Sequence, residues 1–122
     1  MATLEVTTVN IGAPDTGALA RFYERLLSWT LAVDEPGWAV VRNPAGGWSL
    51  AFQQEDGHVP PTWPAESGDQ QMQVHLEIRV DDLDAALAHA LDCGAILAQF
   101  QPQDDVRVCL DPAGHPFCLW VE

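Results

Sequence analysis

Between Gln73 and Val80 the chain reads Gln-Val-His-Leu-Glu-Ile-Arg-Val. Apolar Val74, Leu76, Ile78 and Val80 alternate with polar Gln73, His75, Glu77 and Arg79, the period-two pattern of a strand with one face on a core. The opposite face then presents an imidazole, a carboxylate and a guanidinium in one row. Chemically, His75 can serve as a general base oriented by Glu77, with Arg79 as a ligand contact. Same-face neighbours on a strand are about 7 Å apart, so a His75–Glu77 pair needs side-chain reach or a bridging water. A solvated sheet face shows the same alternation, and that reading stands beside the chemical one.

Other reactive side chains are sparse. Cys93, Cys109 and Cys118 are odd in number and form no CxxC pair, which indicates neither a disulfide framework nor a zinc knuckle; buried reduced thiols are expected. Trp63 lies among prolines in Pro60-Pro61-Thr62-Trp63-Pro64. It is either a lid over an apolar or cationic ligand or a clamp tying its loop to a sheet edge. His58 reads as a solvated loop residue, His89 as an exposed helix residue, and His115 as a turn residue with a structural hydrogen bond.

Composition removes whole classes of function. The net charge is -13, from 18 acidic residues against five arginines, with no lysine. A nucleic-acid backbone would be repelled, and lysine Schiff-base chemistry lacks its residue. With 122 residues and 48% hydrophobic content, the chain can bury a core unaided. No apolar run approaches the ~18 residues of a membrane span, and the start lacks the layout of a secretory signal, so a cytoplasmic protein without a membrane partner is expected.

The elements that must position these side chains follow from periodicity. Leu4 to Ile11 reads as a strand, broken at Gly12-Ala13-Pro14-Asp15. Asp15 or Thr16 caps a helix whose face is Leu19, Phe22, Tyr23, Leu26 and Leu27. Strands are predicted near Thr30 to Val33, Gly37 to Arg42 and Trp48 to Gln53, giving βαβββ. The stretch 54–72 has no apolar period and reads as a linker or lid. From Gln73 the order starts again: a strand to Val80, a helix capped by Asp81 or Asp82 with Leu83, Ala86, Leu87, Ala90 and Leu91 inward, Gly94 as its stop, and strands near Ala95 to Phe100, Asp105 to Leu110 and Pro116 to Val121. Asn43-Pro44-Ala45-Gly46 matches Asp111-Pro112-Ala113-Gly114 at an offset of 68, and setting Ile11 on Val80 gives 69. The fold class is therefore α+β, a duplicated βαβββ module spanning 4–53 and 73–122.

Phe22-Tyr23 on the first helix, His75 ahead of Val80-Asp81-Asp82-Leu83-Asp84-Ala85-Ala86, and the closing Asp111-Pro112-Ala113-Gly114-His115-Pro116-Phe117 resemble the vicinal oxygen chelate superfamily. That superfamily holds glyoxalase I, extradiol dioxygenases, epimerases, fosfomycin-inactivating transferases and bleomycin-binding proteins, and the chain is most similar to its small bacterial glyoxalase-like members. The resemblance implies curved sheets around a cup-shaped cavity, a homodimer, and in enzymatic members a divalent metal on the first and last strand of each module. In this sequence those positions are His75 and Cys118, and the internal offsets carry them back to Val6 and Leu50. Valine and leucine offer no lone pair. No metal or other cofactor is expected, with His75 the ligand if a divalent metal does bind.

Strand parity assigns the remaining lining: Thr8 and Asn10 with Val6, and Trp48, Leu50 and Phe52 as counterparts of Pro116, Cys118 and Trp120. The aromatic walls suit either a small-molecule site or a filled core. The leading expectation is a protein that binds a small, partly hydrophobic organic molecule without the four-ligand metal. The alternative is a lyase, isomerase or dioxygenase-type enzyme with a displaced metal, or with His75 as base.

Overall fold

A computed structural model describes residues 2–122. The chain divides into two compact units, one ending at His58 and one beginning at Val59.

In the first unit the order is β1 (Thr8–Ala13), α1 (Thr16–Leu27), β2 (Thr30–Glu35), β3 (Trp38–Arg42) and β4 (Ser49–Gln54). They form a four-stranded sheet ordered β1-β4-β3-β2, with β1 parallel to β4 and the other pairs antiparallel. Helix α1 starts where the Asp15 carboxylate accepts from the Ala18 N–H at 3.0 Å, satisfying an amide that has no helical partner. Its apolar stripe buries Leu19, Ala20, Phe22 and Tyr23. The Tyr23 ring stacks on Phe52 of β4 at 5.7 Å. Each such side chain removed from water is worth about 1.5–3 kcal/mol, so this aromatic contact fixes which face of the sheet is core.

The second unit repeats the order: β5 (Leu76–Arg79), α2 (Leu83–Cys93), β6 (Ile96–Leu97), β7 (Val106–Leu110) and β8 (Pro116–Trp120), with sheet order β5-β8-β7-β6. Asp82 caps α2 through the Ala85 N–H at 3.0 Å, and Gly94, at φ 116, ends it. Two sheets, each with one helix, give the α+β double module that the periodicity predicts.

Several boundaries differ from expectation. Strand β1 begins at Thr8, where pairing to Ser49 begins; Leu4 and Val6 are 88% and 65% exposed. Gly12 and Ala13 continue the strand, and Pro14, which has no N–H, follows its end. Val74 is 78% exposed, so β5 is shorter than its apolar alternation suggests. Strand β6 has two residues because the Gln101 side chain takes over the ladder: its amide donates to the Ala98 and Val108 carbonyls and accepts from the Val108 N–H. On α2, Leu91 is exposed and Cys93 is buried in its stead. The stretch 54–72 is shared between the units. Glu55 N–H bonds Ala13 in the first, and Thr62 N–H bonds Gln70 in the second.

Both β-turns that resemble each other in sequence are closed by their first side chain. Asn43 Oδ1 accepts from Ala45 N–H, and the buried Asp111 carboxylate accepts from the N–H groups of Ala113 and His115.

Candidate functional site

The second unit gathers the reactive residues. Parallel pairing sets Glu77 opposite Cys118 and Leu76 opposite Phe117. Leu76, Phe117 and Leu119 therefore share one face, while Glu77 and Cys118 share the other with Val108 of β7. His75 lies just before β5, and its Nε2 is 2.5 Å from Glu77 Oε2. The reach that the spacing demanded is thus met by the side chains alone.

These groups help to line a cavity of about 140 Å3, whose apolar walls include Trp63, Met72, Val106 and Val108. Trp63 is both clamp and wall. Its Nε1–H donates to the Phe100 carbonyl at 3.2 Å, and its ring packs on the buried cluster of Ala98, Val108 and Cys118. Within the second unit, this position keeps the indole on the edge of the sheet.

Electrostatics separates the three polar groups. Burial, then the hydrogen bond with Glu77 and the charge of its carboxylate, push the Cys118 thiol up to about 12. At neutral pH Cys118 is therefore a protonated donor and not a thiolate nucleophile. His75 is 30% and Glu77 51% exposed at the side chain, so this pair is open to solvent while the thiol beside it is buried.

The first unit presents different residues at the matching places. The helix caps Asp15 and Asp82 fix an internal offset of 67, which puts Thr8 at the position of His75 and Asn10 at that of Glu77. Asn10 pairs with Ala51 as Glu77 pairs with Cys118, so Ala51 is the counterpart of Cys118. This corrects the sequence alignment of Val6 with His75 and of Leu50 with Cys118. The first turn holds one residue more than the second, with both Gly46 and Gly47 at positive φ against Gly114 alone. A one-residue slip moves every side chain of a strand to the other face. Leu50 and Phe52 accordingly lie in the core, at 3% and 0% exposure, and Trp48 is exposed before β4 begins.

Thr8 and Asn10 do face away from α1, in an open hollow with Trp38, Arg42, Ser49 and Ala51. Asn10 Nδ2 donates to Gln53 Oε1 at 3.3 Å. Arg79 and Trp120 are paired residues at the far end of their strands, outside the His75 cavity; Arg79 is bound to Glu122 at 3.2 Å. Trp38, Arg42, Met72, Val106 and Val108 line these two hollows without having been singled out from sequence. The alternation Ser49-Leu50-Ala51-Phe52-Gln53 was the available signal for the β4 face.

A divalent metal of the kind the resemblance implies would need donors from both modules. Ala51 has none, and Thr8 offers only a neutral hydroxyl, so the four-donor set does not fit this chain. The second unit by itself retains three donors, His75, Glu77 and Cys118, whose ligating atoms all lie within 4.8 Å of one another. Nitrogen, oxygen and sulfur together are a donor set for a zinc-like ion.

Comparisons with known proteins agree with this architecture. A glyoxalase/bleomycin resistance protein/dioxygenase family enzyme from Burkholderia phytofirmans PsJN superposes with a TM-score of 0.70 at 18% identity, covering 97% of this chain and 98% of that one. TnmS3, an antibiotic binding protein from Streptomyces sp. CB03234, gives 0.63 at 22% identity, with 99% and 98% covered. A glyoxalase-related enzyme from Fulvimarina pelagi gives 0.66 at 20%, with 98% and 89% covered. No curated protein matches the sequence. Residues 7–120 match the family described as glyoxalase-like domain, and with both βαβββ modules in place the chain belongs to that family, within the vicinal oxygen chelate superfamily.

Proposed function

We propose that this protein binds a small, partly hydrophobic organic molecule, and that the cavity beside His75 receives one end of it. The observation that carries the reading is that apolar walls, Trp63, Met72, Val106 and Val108, share one cavity with three clustered polar groups, His75, Glu77 and Cys118. Sites for small molecules combine these features. At about 140 Å3 the cavity is below the ~300 Å3 at which whole-ligand pockets begin, so it suits a ring or side group. The antibiotic-binding relative TnmS3 lends support, since the same fold there serves binding. A homodimer belongs to this reading through the family resemblance, and sedimentation equilibrium tests it.

Titration with 2-naphthol, phenol and indole, followed by tryptophan fluorescence, tests the binding. Saturable quenching that persists in EDTA and is lost in Trp63→Ala and in Val108→Trp is the expected result. Absence of saturable quenching by all three probes would refute it.

The second reading is an enzyme, favoured by the short His75–Glu77 contact and the three clustered donors. In it His75 takes a substrate proton with Glu77 orienting the imidazole, or the trio holds a zinc-like ion. Elemental analysis of protein purified without added metal discriminates: stoichiometric zinc that disappears in His75→Ala supports the ion, and metal-free protein removes it.

A further inference from the structure

On the face of the first sheet opposite α1 lies a hollow of about 480 Å3 that the reading above does not use. Strand register sorts its lining by chemistry. Thr8 pairs with Ser49, and one step past the Val41–Leu50 pair the antiparallel register brings Arg42 beside Ser49. One end of the hollow therefore holds two hydroxyls and a guanidinium. Ala51, between Asn10 and Val40, forms a low floor in the next row, and Trp38 stands one row farther on. Same-face rows are about 7 Å apart, which separates the Arg42 and Trp38 backbones by roughly 13 Å.

Arg42 also stands apart in its pairing. Arg21 is bound to Asp34, Arg79 to Glu122, and Arg107 to the carbonyls of Asp104 and Val106. Arg25 is not free either. Among the described residues Arg42 is the one arginine without a partner, in a chain with 18 acidic residues. No carboxylate lines the hollow. By register Glu35 lies opposite Trp38, at the far end, and Glu55 accepts from the Gln53 amide at 2.6 Å.

We propose that this face binds a planar aromatic carboxylate. The carboxylate is held by the Arg42 guanidinium and the Thr8 and Ser49 hydroxyls, and the ring lies over Ala51 and Val40 toward the Trp38 indole. Guanidinium forks match carboxylates in geometry and charge, and hydroxyls add neutral donors at the same end. The site stands on the first unit alone and does not depend on the cavity beside His75.

The test is titration of the isotope-labelled full chain with 2-naphthoate and with uncharged 2-naphthamide, followed by amide NMR. The expected result is saturable shifts at Thr8, Ser49 and Arg42, binding weakened about tenfold or more in Arg42→Gln and for the amide, and partial recovery in Arg42→Lys. Arg42 is exposed, and unchanged amide spectra of the free variants establish that they are folded. Equal affinity for naphthoate and naphthamide, no loss in Arg42→Gln, or no saturable shift at these amides would each overturn the proposal. Shifts confined to residues around His75 would also overturn it, while leaving the reading of that cavity intact.

Discussion

Helix α1 buries Phe22 and Tyr23 at the positions where α2 carries His89, which is exposed, and Ala90. The sheets differ in the opposite sense: Thr8, Asn10 and Ala51 in the first unit stand where the second has His75, Glu77 and Cys118. One backbone plan thus carries a large aromatic core with unreactive polar groups in one copy, and a lean core with reactive groups in the other. Register and caps are common to both, so this module specifies where side chains point and leaves their chemistry free. The hydrophobic contribution scales with area buried, and the first unit buries more of it around its helix.

The two helices should differ most in what a single side chain contributes to stability. Tyr23→Ala removes a ring stacked on Phe52 and should cost about 3–5 kcal/mol, whereas His89→Ala, its neighbour's counterpart in α2, should stay within about 0.5 kcal/mol. Urea denaturation of both variants measures the contrast, and equal losses would show that the second helix is as firmly anchored as the first.

The turns should differ less. Gly114 has φ 86, and a Cβ there would meet Pro60 Cβ at 2.7 Å; Gly46, at φ 85, has open space around it. Gly114→Ala should therefore lower stability by about 2–3 kcal/mol and Gly46→Ala by about 1 kcal/mol, the strain of the backbone alone. Thermal melts rank the two.

Alkaline pH should act on the second unit, which holds all three cysteines. Burial pushes Cys109 up to about 11, and burial with Glu77 pushes Cys118 up to about 12, from 9.0. The folded thiols keep their protons in a window where unfolded thiols lose theirs. Their contribution is thus complete below pH 9 and is lost as pH rises toward 11–12. Denaturation at pH 8 and 10.5 should show a loss of about 2 kcal/mol for each thiol, roughly 4 kcal/mol in all, which falls to about half in Cys118→Ala.

The smallest contrast is at the caps. Asp15→Ala and Asp82→Ala each delete one side-chain bond of 3.0 Å to an otherwise free amide, and each should cost about 1 kcal/mol. A clear inequality between them would mean that the helix ends are less alike than their geometry.

Local signals made much of this legible. Gly94 acts as the stop its chemistry indicated, Asp15 and Asp82 are each one of the two neighbours offered as caps, and the apolar stripe of α1 is the buried one, because caps and helical periodicity depend on residues a few positions apart. The β4 face was lost to a count of one: the paired Gly46 and Gly47 lengthen a turn whose first four residues look identical in role to those at Asp111. The alternation over 73–80 overstated β5, since a strand extends only as far as a partner bonds it. Gln101 gave no signal at all, because any polar residue in a loop looks alike until its amide is seen between two carbonyls.

By itself, the sequence determined the duplicated βαβββ order and the row containing His75 and Glu77 and narrowed each helix cap to two neighbouring residues, all properties of short-range spacing. Only tertiary structure decided that Cys118 closes on Glu77, that Trp63 walls their cavity, and that Arg42 rather than Leu50 or Phe52 shares a face with Thr8. Those outcomes depend on pairing between strands far apart in the chain, where one inserted residue reverses the side to which every later side chain points.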